Sequence, residues 1–186
     1  PYSRALVGIY ARLAATATRL AHAMSRAPLG APAEPYSGPA DLARDLEIVD
    51  GALRVDSPII ARGRLRQLRH AVRIFGFHLA SLDLRQHSSV HERTVAELLR
   101  RAGIEGYDRL GEAERGALLL RELRSPRPLL SPHLRYDAET EREIRTFQAL
   151  REVRERFGAE VCRSVIVSRT DATSDVLEVA LLLKEA

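Results

Sequence analysis

The chain has 186 residues, 45% of them hydrophobic and 29% charged, the balance of a globular protein with one sizeable core rather than of a disordered segment. No apolar run has membrane-spanning length and no stretch pairs a basic start with an apolar centre, so neither a membrane partner nor a signal peptide is expected. The net charge of +4 raises nucleic acid as a partner, but arginines alternate with acids in Glu139–Glu143 and Arg151–Arg156, the pattern of a solvated helix face, and no nucleic-acid role is expected.

Cys162 is the only cysteine, so no internal disulfide is possible, which fits a reducing cytoplasm. The first residue is Pro1 and the last residues, Leu181–Ala186, still read as helix. Both ends are therefore expected to lie inside a longer chain.

Ser3–Met24 reads as an amphipathic helix with Leu6, Ile9, Leu13, Ala17 and Leu20 on one stripe. Four prolines and two glycines between Pro28 and Pro39 predict a mobile surface loop over about residues 27–40. A second helix spans Asp41–Arg54. A third starts at Ser57-Pro58, serine as N-cap and proline in the first turn, and buries Leu65, Leu68, Val72 and Phe75.

Alternation from Phe77 to Gln86 then predicts a short strand. Ser89-Val90-His91-Glu92 has the spacing of a capping box and opens a helix to about Ala102, stopped by Gly103. Further helices follow over Glu112–Leu123 and Asp137–Phe157, the latter with Ile144, Phe147, Leu150 and Val153 inward. Ser164–Ser168, rich in β-branched residues, is a second strand. Thr173, Ser174 or Asp175 caps the last helix, with Asp175 and Glu178 at box-like spacing. The fold class is mostly α with a few short parallel strands, since a helical crossover returns the second strand beside the first. Either the domain is helical with a small ribbon, or further strands belong to the sheet.

The sharpest local feature is Asp83-Leu84-Arg85-Gln86-His87-Ser88, where a strand ends and a helix begins. In parallel β/α folds that junction faces the site, and a guanidinium there can fork onto phosphate or carboxylate. The competing reading pairs Arg85 with a buried acid such as Asp83, or has it cap a neighbouring helix. His87 and His91 stand four apart, but no further ligand completes a metal set. His70 and His78 are expected to be packing or surface residues. Arg169, after the second strand, is the next candidate anion ligand, although an exposed loop arginine is the commoner case. Cys162 is expected to be a small packed residue.

The stretch Phe75-Gly76-Phe77-His78-Leu79-Ala80-Ser81-Leu82-Asp83-Leu84-Arg85-Gln86-His87-Ser88 closely resembles a segment of the phosphoenolpyruvate carboxylases. Pro1-Tyr2-Ser3-Arg4 resembles that family's Pro-Tyr-Arg lead-in at a different spacing. Leu120–Leu123, Arg127-Pro128-Leu129, Ser174–Val179 and Leu183–Ala186 follow in the family's order. The resemblance implies part of a helix-rich (β/α)8 TIM-type barrel in a cytoplasmic homotetramer. Residues 1–75 would be its helical lead-in, and 76–186 its first two barrel strands with intervening helices.

The implied reaction uses Mg²⁺ and bicarbonate to carboxylate phosphoenolpyruvate to oxaloacetate and phosphate, through carboxyphosphate and the pyruvate enolate. By motif position Arg85 is one of the family's substrate-side arginines. The resemblance places the catalytic histidine before Pro1, and the metal-binding acids and further arginine loops after Ala186. The isolated chain is therefore expected to be inactive. Roles for Arg127 and Arg169 stay open. The alternative is a non-catalytic helical module for protein–protein contact or regulation.

Overall fold

The computed structural model describes residues 2–22 and 33–186. In chain order these form α1 (Tyr2–His22), α2 (Pro39–Asp56), α3 (Pro58–Ala61), α4 (Arg64–Phe75), β1 (Leu82–His87), α5 (Ser88–Arg101), α6 (Glu112–Arg124), α7 (Ala138–Phe157), β2 (Cys162–Ser168) and α8 (Thr173–Glu185). Short 3-10 turns lie at Tyr107–Arg109 and Ala159–Val161. The contacts divide the chain into two units. One gathers the described residues up to Ser81 with 155–161; the other holds Leu82–Arg154 and Cys162–Ala186.

The first unit is built on Ile9, Tyr36, Leu42, Leu46, Val49 and Val72. Residues 27–32 of the expected mobile loop lie outside the described residues; 33–38 are irregular and Pro39 opens α2. Tyr36 is fully buried there. Its N–H donates to Thr16 Oγ1 at 2.8 Å, its hydroxyl donates to Asp45 Oδ2 at 2.8 Å, and its carbonyl accepts from Arg19 Nη2 at 2.7 Å. Arg12 stacks 3.9 Å over the ring and pairs with the same Asp45. Burial and the neighbouring Asp45 push the Tyr36 phenol up to about 12. Proline and glycine content accords with the irregular backbone of 33–38; it carries no information about the anchor.

The α1 stripe also differs from its prediction. Ile9 is buried, but Leu6 is 51% exposed and Ala17 lies outward, while Ala15 and Thr16 face in. Thr16 does so because its hydroxyl is bonded twice, donating to Arg12 O at 2.7 Å and accepting from Tyr36. The third predicted helix is two helices. It breaks at Arg62-Gly63, where Gly63 N–H turns back to Ile60 O and Gly63 becomes the N-cap of α4. Ser57 precedes α3 without a side-chain cap bond. Of the predicted stripe, Val72 is buried and Leu65 half-buried, whereas Leu68 and Phe75 stay exposed.

The strand expected from Phe77 begins only at Leu82. Gly76 ends α4 at φ +53, and a Cβ there would stand 3.3 Å from the His78 ring, so this turn favours glycine. The chain turns back, with His78 N–H donating to Phe75 O, and Phe77 joins the first core rather than a sheet.

In the second unit β1 and β2 pair in parallel, Asp83 opposite Ser164, Arg85 opposite Ile166 and His87 opposite Ser168. The expected parallel crossover is thus present. Period-two alternation gives the ribbon two faces. Leu84, Val165 and Val167 pack on a core of Val95, Leu98, Leu99, Leu119, Phe147, Leu181 and Leu182. Asp83, Arg85, Ser164, Ile166 and Ser168 line the open face. The helical side supplies most of the stability, since each fully buried leucine contributes about 1.5–3 kcal/mol over an exposed one. Among the described residues neither outer strand edge has a strand partner.

Candidate anion-binding rim

Both strands run toward the same edge and each leads into a helix, β1 directly into α5 and β2 through a four-residue turn into α8. The two junctions are tied together. Ser88 Oγ donates to the Arg169 carbonyl at 2.6 Å, and Ser168 Oγ reaches Gln86 O at 3.4 Å. Arg169 sits at φ +58, the one left-handed non-glycine among the described residues. A conformation of that kind costs on the order of 1 kcal/mol and persists where surroundings hold it; the Ser88 bond is such a hold. The Arg169 side chain is exposed.

Arg85 stands on the open face near the end of β1. Its Nη2 lies 3.0 Å from Asp83 Oδ2, with side chains 71% and 39% exposed. The ion pair named as the competing reading therefore forms, but not with a buried acid. It is a single contact between neighbours on one strand face, of the solvent-screened type worth about 1 kcal/mol or less. The other guanidinium donors remain available.

The helix that starts beside it is capped differently from the prediction. The N-cap of α5 is His87, not Ser89: its Nδ1 accepts from Ser89 N–H at 3.2 Å and lies 2.8 Å from Ser89 Oγ. Glu92 does not return to the cap. It pairs with Arg115 at 2.7 Å. At α8 the N-cap is Ala172, and Asp175 Oδ2 accepts from Asp171 and Ala172 N–H at 2.8 and 3.0 Å. Glu112 reaches across from α6 to take Ser174 N–H at 2.9 Å and Ser174 Oγ at 2.6 Å. Those bonds hold the Glu112 carboxyl below its ordinary value. The α8 N-terminus is thus already occupied by carboxylates.

Beneath the rim runs a buried chain of polar groups. Gln86 Nε2 donates to Glu143 Oε2 at 2.9 Å, while Gln86 Oε1 accepts from His87 N–H at 2.9 Å. His91 Nε2 lies 3.4 Å from Glu143 Oε1, and its ring meets Phe147 edge-on at 5.9 Å. Burial pushes the Glu143 carboxyl upward, but the adjacent His91 imidazole and the bond from Gln86 outweigh it and hold the group below its ordinary value. The His87/His91 spacing therefore serves a cap and a core contact. Among the described residues no group of three or more His, Cys, Asp or Glu is placed to hold a metal ion.

Arg127 lies away from this rim. Its Nη2 is 3.3 Å from the buried Glu122, its carbonyl accepts from Lys184, and Glu185 Oε2 takes Leu129 and Leu130 N–H at 2.6 and 2.8 Å. The Arg-Pro-Leu-Leu segment is thereby clamped to α6 and α8. Cys162 is buried and packed, with its Sγ 3.8 Å from Ser164 O. His70 is exposed. Sequence reasoning missed Gln86, Glu143 and Glu112, whose partners lie 57 to 62 residues away.

Two short parallel strands, each leading into a helix, with Arg85 on their open face, define the class as a mostly helical protein with a parallel strand–helix element. Comparison with known proteins narrows the class. The family model for phosphoenolpyruvate carboxylase matches residues 1–186. The chain is 52% identical over 189 residues to the phosphoenolpyruvate carboxylase of Aromatoleum aromaticum, 51% over 187 to that of Rhodopseudomonas palustris strain BisA53, and 50% over 188 to that of Ralstonia nicotianae. Each match covers all of this chain but only 19–20% of the relative. The chain belongs to the phosphoenolpyruvate carboxylase family, and it spans about a fifth of the length of these relatives. No helix among the described residues is long and apolar enough to cross a membrane.

Proposed function

We propose that this chain supplies one arginine-bearing part of the substrate rim of an enzyme that carboxylates phosphoenolpyruvate with bicarbonate. The observation that carries the reading is the setting of Arg85. It stands on the open strand face at the helix-leading edge, and its ion pair with Asp83 is exposed. A planar fork in that position suits a phosphate or carboxylate.

In the proposed reaction a bicarbonate oxygen attacks phosphorus, the bond from phosphorus to the enol oxygen breaks, and carboxyphosphate and the pyruvate enolate result. Carboxyphosphate then releases CO₂ and phosphate, and C3 of the enolate takes up CO₂ to give oxaloacetate. Arg85 would hold substrate oxygens in place and neutralise their charge. Mg²⁺ would supply Lewis-acid charge neutralisation at the phosphoryl group. The described residues do not fit it, so its ligands would come from elsewhere in the full-length protein. The same reading places the two strands in a TIM-type (β/α)8 barrel of a cytoplasmic homotetramer. Exposed Val55, Ile59 and Leu79, at 83%, 87% and 85%, support a larger assembly over a self-sufficient helical module.

The test is steady-state kinetics of Arg85→Ala and Arg85→Lys in the full-length polypeptide, with thermal melts alongside. Turnover should fall about a hundredfold in Arg85→Ala while the fold is kept. Normal turnover in either variant would overturn the assignment. The 186-residue chain alone should form no oxaloacetate, because groups acting as a unit contribute little singly.

A further inference from the structure

The positive charge of this protein is concentrated in one segment. Between Ser57 and Leu82 there are five arginines and no aspartate or glutamate, which leaves 24 basic against 25 acidic residues elsewhere. The interleaving of arginines with acids that holds along α7 breaks down here. Arg69 is neutralised by the buried Asp50 and lies 3.6 Å from Glu47. Arg62, Arg64, Arg66 and Arg73 have no ion-pair partner among the described residues.

Two of these four converge on a cavity. The break at Gly63 sets Arg62, at the end of α3, and Arg66, in the first turn of α4, along one cleft of about 480 Å³. Arg54, from the last turn of α2, lines the same cleft, with Pro58 and Ala61 as its apolar part. The nearby acid is already engaged: Asp50 Oδ2 accepts from both Arg54 and Arg69. Nor does a carboxylate occupy the start of α4, which has no side-chain cap and no acid in its first turn. Its N-terminal N–H groups and the positive end of its dipole add to the field of the arginines. Like charges gathered in a concavity repel one another, and a bound counter-charge relieves that repulsion. The volume is that of a small-ligand site, whereas a nucleic-acid surface presents an extended stripe.

We propose that this cleft binds a small, multiply charged oxyanion of the phosphate or diphosphate class, held by Arg62 and Arg66 with Arg54 at its wall. Guanidinium forks match tetrahedral oxyanions in two parallel hydrogen bonds. The site belongs wholly to the first unit and is independent of the Arg85 rim.

Calorimetric titration of the 186-residue chain with sodium pyrophosphate at near-physiological salt tests this, with inorganic phosphate and a short DNA duplex as comparison ligands. Expected is saturable one-to-one binding of pyrophosphate, tighter than that of phosphate. Arg62→Gln/Arg66→Gln should weaken it at least tenfold. Arg142→Gln/Arg145→Gln, the same charge change on α7, should leave it within twofold. Arg62→Lys/Arg66→Lys should fall between, since charge is kept and the fork lost. Melting temperatures should stay level, because neither arginine has a partner to lose. Non-saturating binding, equal loss in the two glutamine pairs, or tighter binding of DNA than of pyrophosphate through these same arginines would each overturn the proposal.

Discussion

The Tyr107 hydroxyl donates a 2.7 Å hydrogen bond to Glu178 Oε1, across 71 residues and with both side chains buried. Among the described residues Glu178 Oε2 has no hydrogen-bond partner. An ionised carboxylate in that setting would be costly, and burial raises the Glu178 carboxyl to about 7. A proton on Oε2 removes the charge. Burial and the same partner push the Tyr107 phenol up as well.

The pH dependence of stability follows from this. The folded state holds the Glu178 proton more tightly than the unfolded chain, whose value is 4.5. The stabilisation is complete below that value, declines as pH rises, and is gone above about 7. Its size is about 3 kcal/mol. Urea midpoints should therefore fall from pH 5 to pH 8. Glu178→Gln accepts the same Tyr107 bond without titrating, and its midpoint should be nearly flat over that range; a slope equal to the parent's would refute the account.

Glu143 acts in the opposite sense. Its folded value is depressed, so its stabilisation is present above the unfolded value and disappears as pH falls through the folded one. Glu143→Ala strands the Gln86 amide, removes the carboxylate beside His91, and should cost about 3 kcal/mol. Glu143→Gln, which still accepts from Gln86, should cost less. Denaturant melts at pH 7 compare the two, and equal losses would show that the Gln86 bond contributes nothing.

The Asp83–Arg85 pair is exposed and should contribute little to folding. Asp83→Asn should shift stability by no more than about 1 kcal/mol, read by thermal melts at low and high salt. A larger loss would mean that Arg85 is held structurally.

Glu185 closes the loop after α6 by accepting two backbone N–H groups. Glu185→Ala leaves both without an acceptor and should cost about 2 kcal/mol or more. Hydrogen exchange should speed up first at Leu129 and Leu130 and leave α5 protected. Uniform acceleration throughout the second unit would argue against a local clamp.

What the sequence made legible is what periodicity and local spacing encode. The β-branched run before Ser168 and the junction at Arg85 were readable, and from them the parallel pairing. Asp83 and Arg85 share a strand face because they stand two apart. The failures have two kinds of cause. Glu178 has the spacing of a cap, but its partner Tyr107 lies in another element. Ser89 looks like an N-cap, yet the imidazole one position before the helix takes its N–H. Phe77 alternates as a strand residue would, while Gly76 has already turned the chain into the first core. Glu178 and Phe77 were decided by tertiary contacts that local pattern does not record, whereas at Ser89 a neighbouring imidazole competed for the cap.

The β1–β2 ladder joins Leu82 to Cys162, about 80 residues apart. During synthesis at roughly 5–20 residues per second, β1 waits on the order of 4–16 s before its partner exists. Throughout that interval it is an unpaired edge open to other nascent chains. Asp83 and Arg85 put charge on that edge, and charged residues are the usual guard against edge-to-edge pairing. Charge at Asp83 and Arg85 would thus guard a half-made sheet until β2 arrives, separately from the anion-binding role proposed for Arg85.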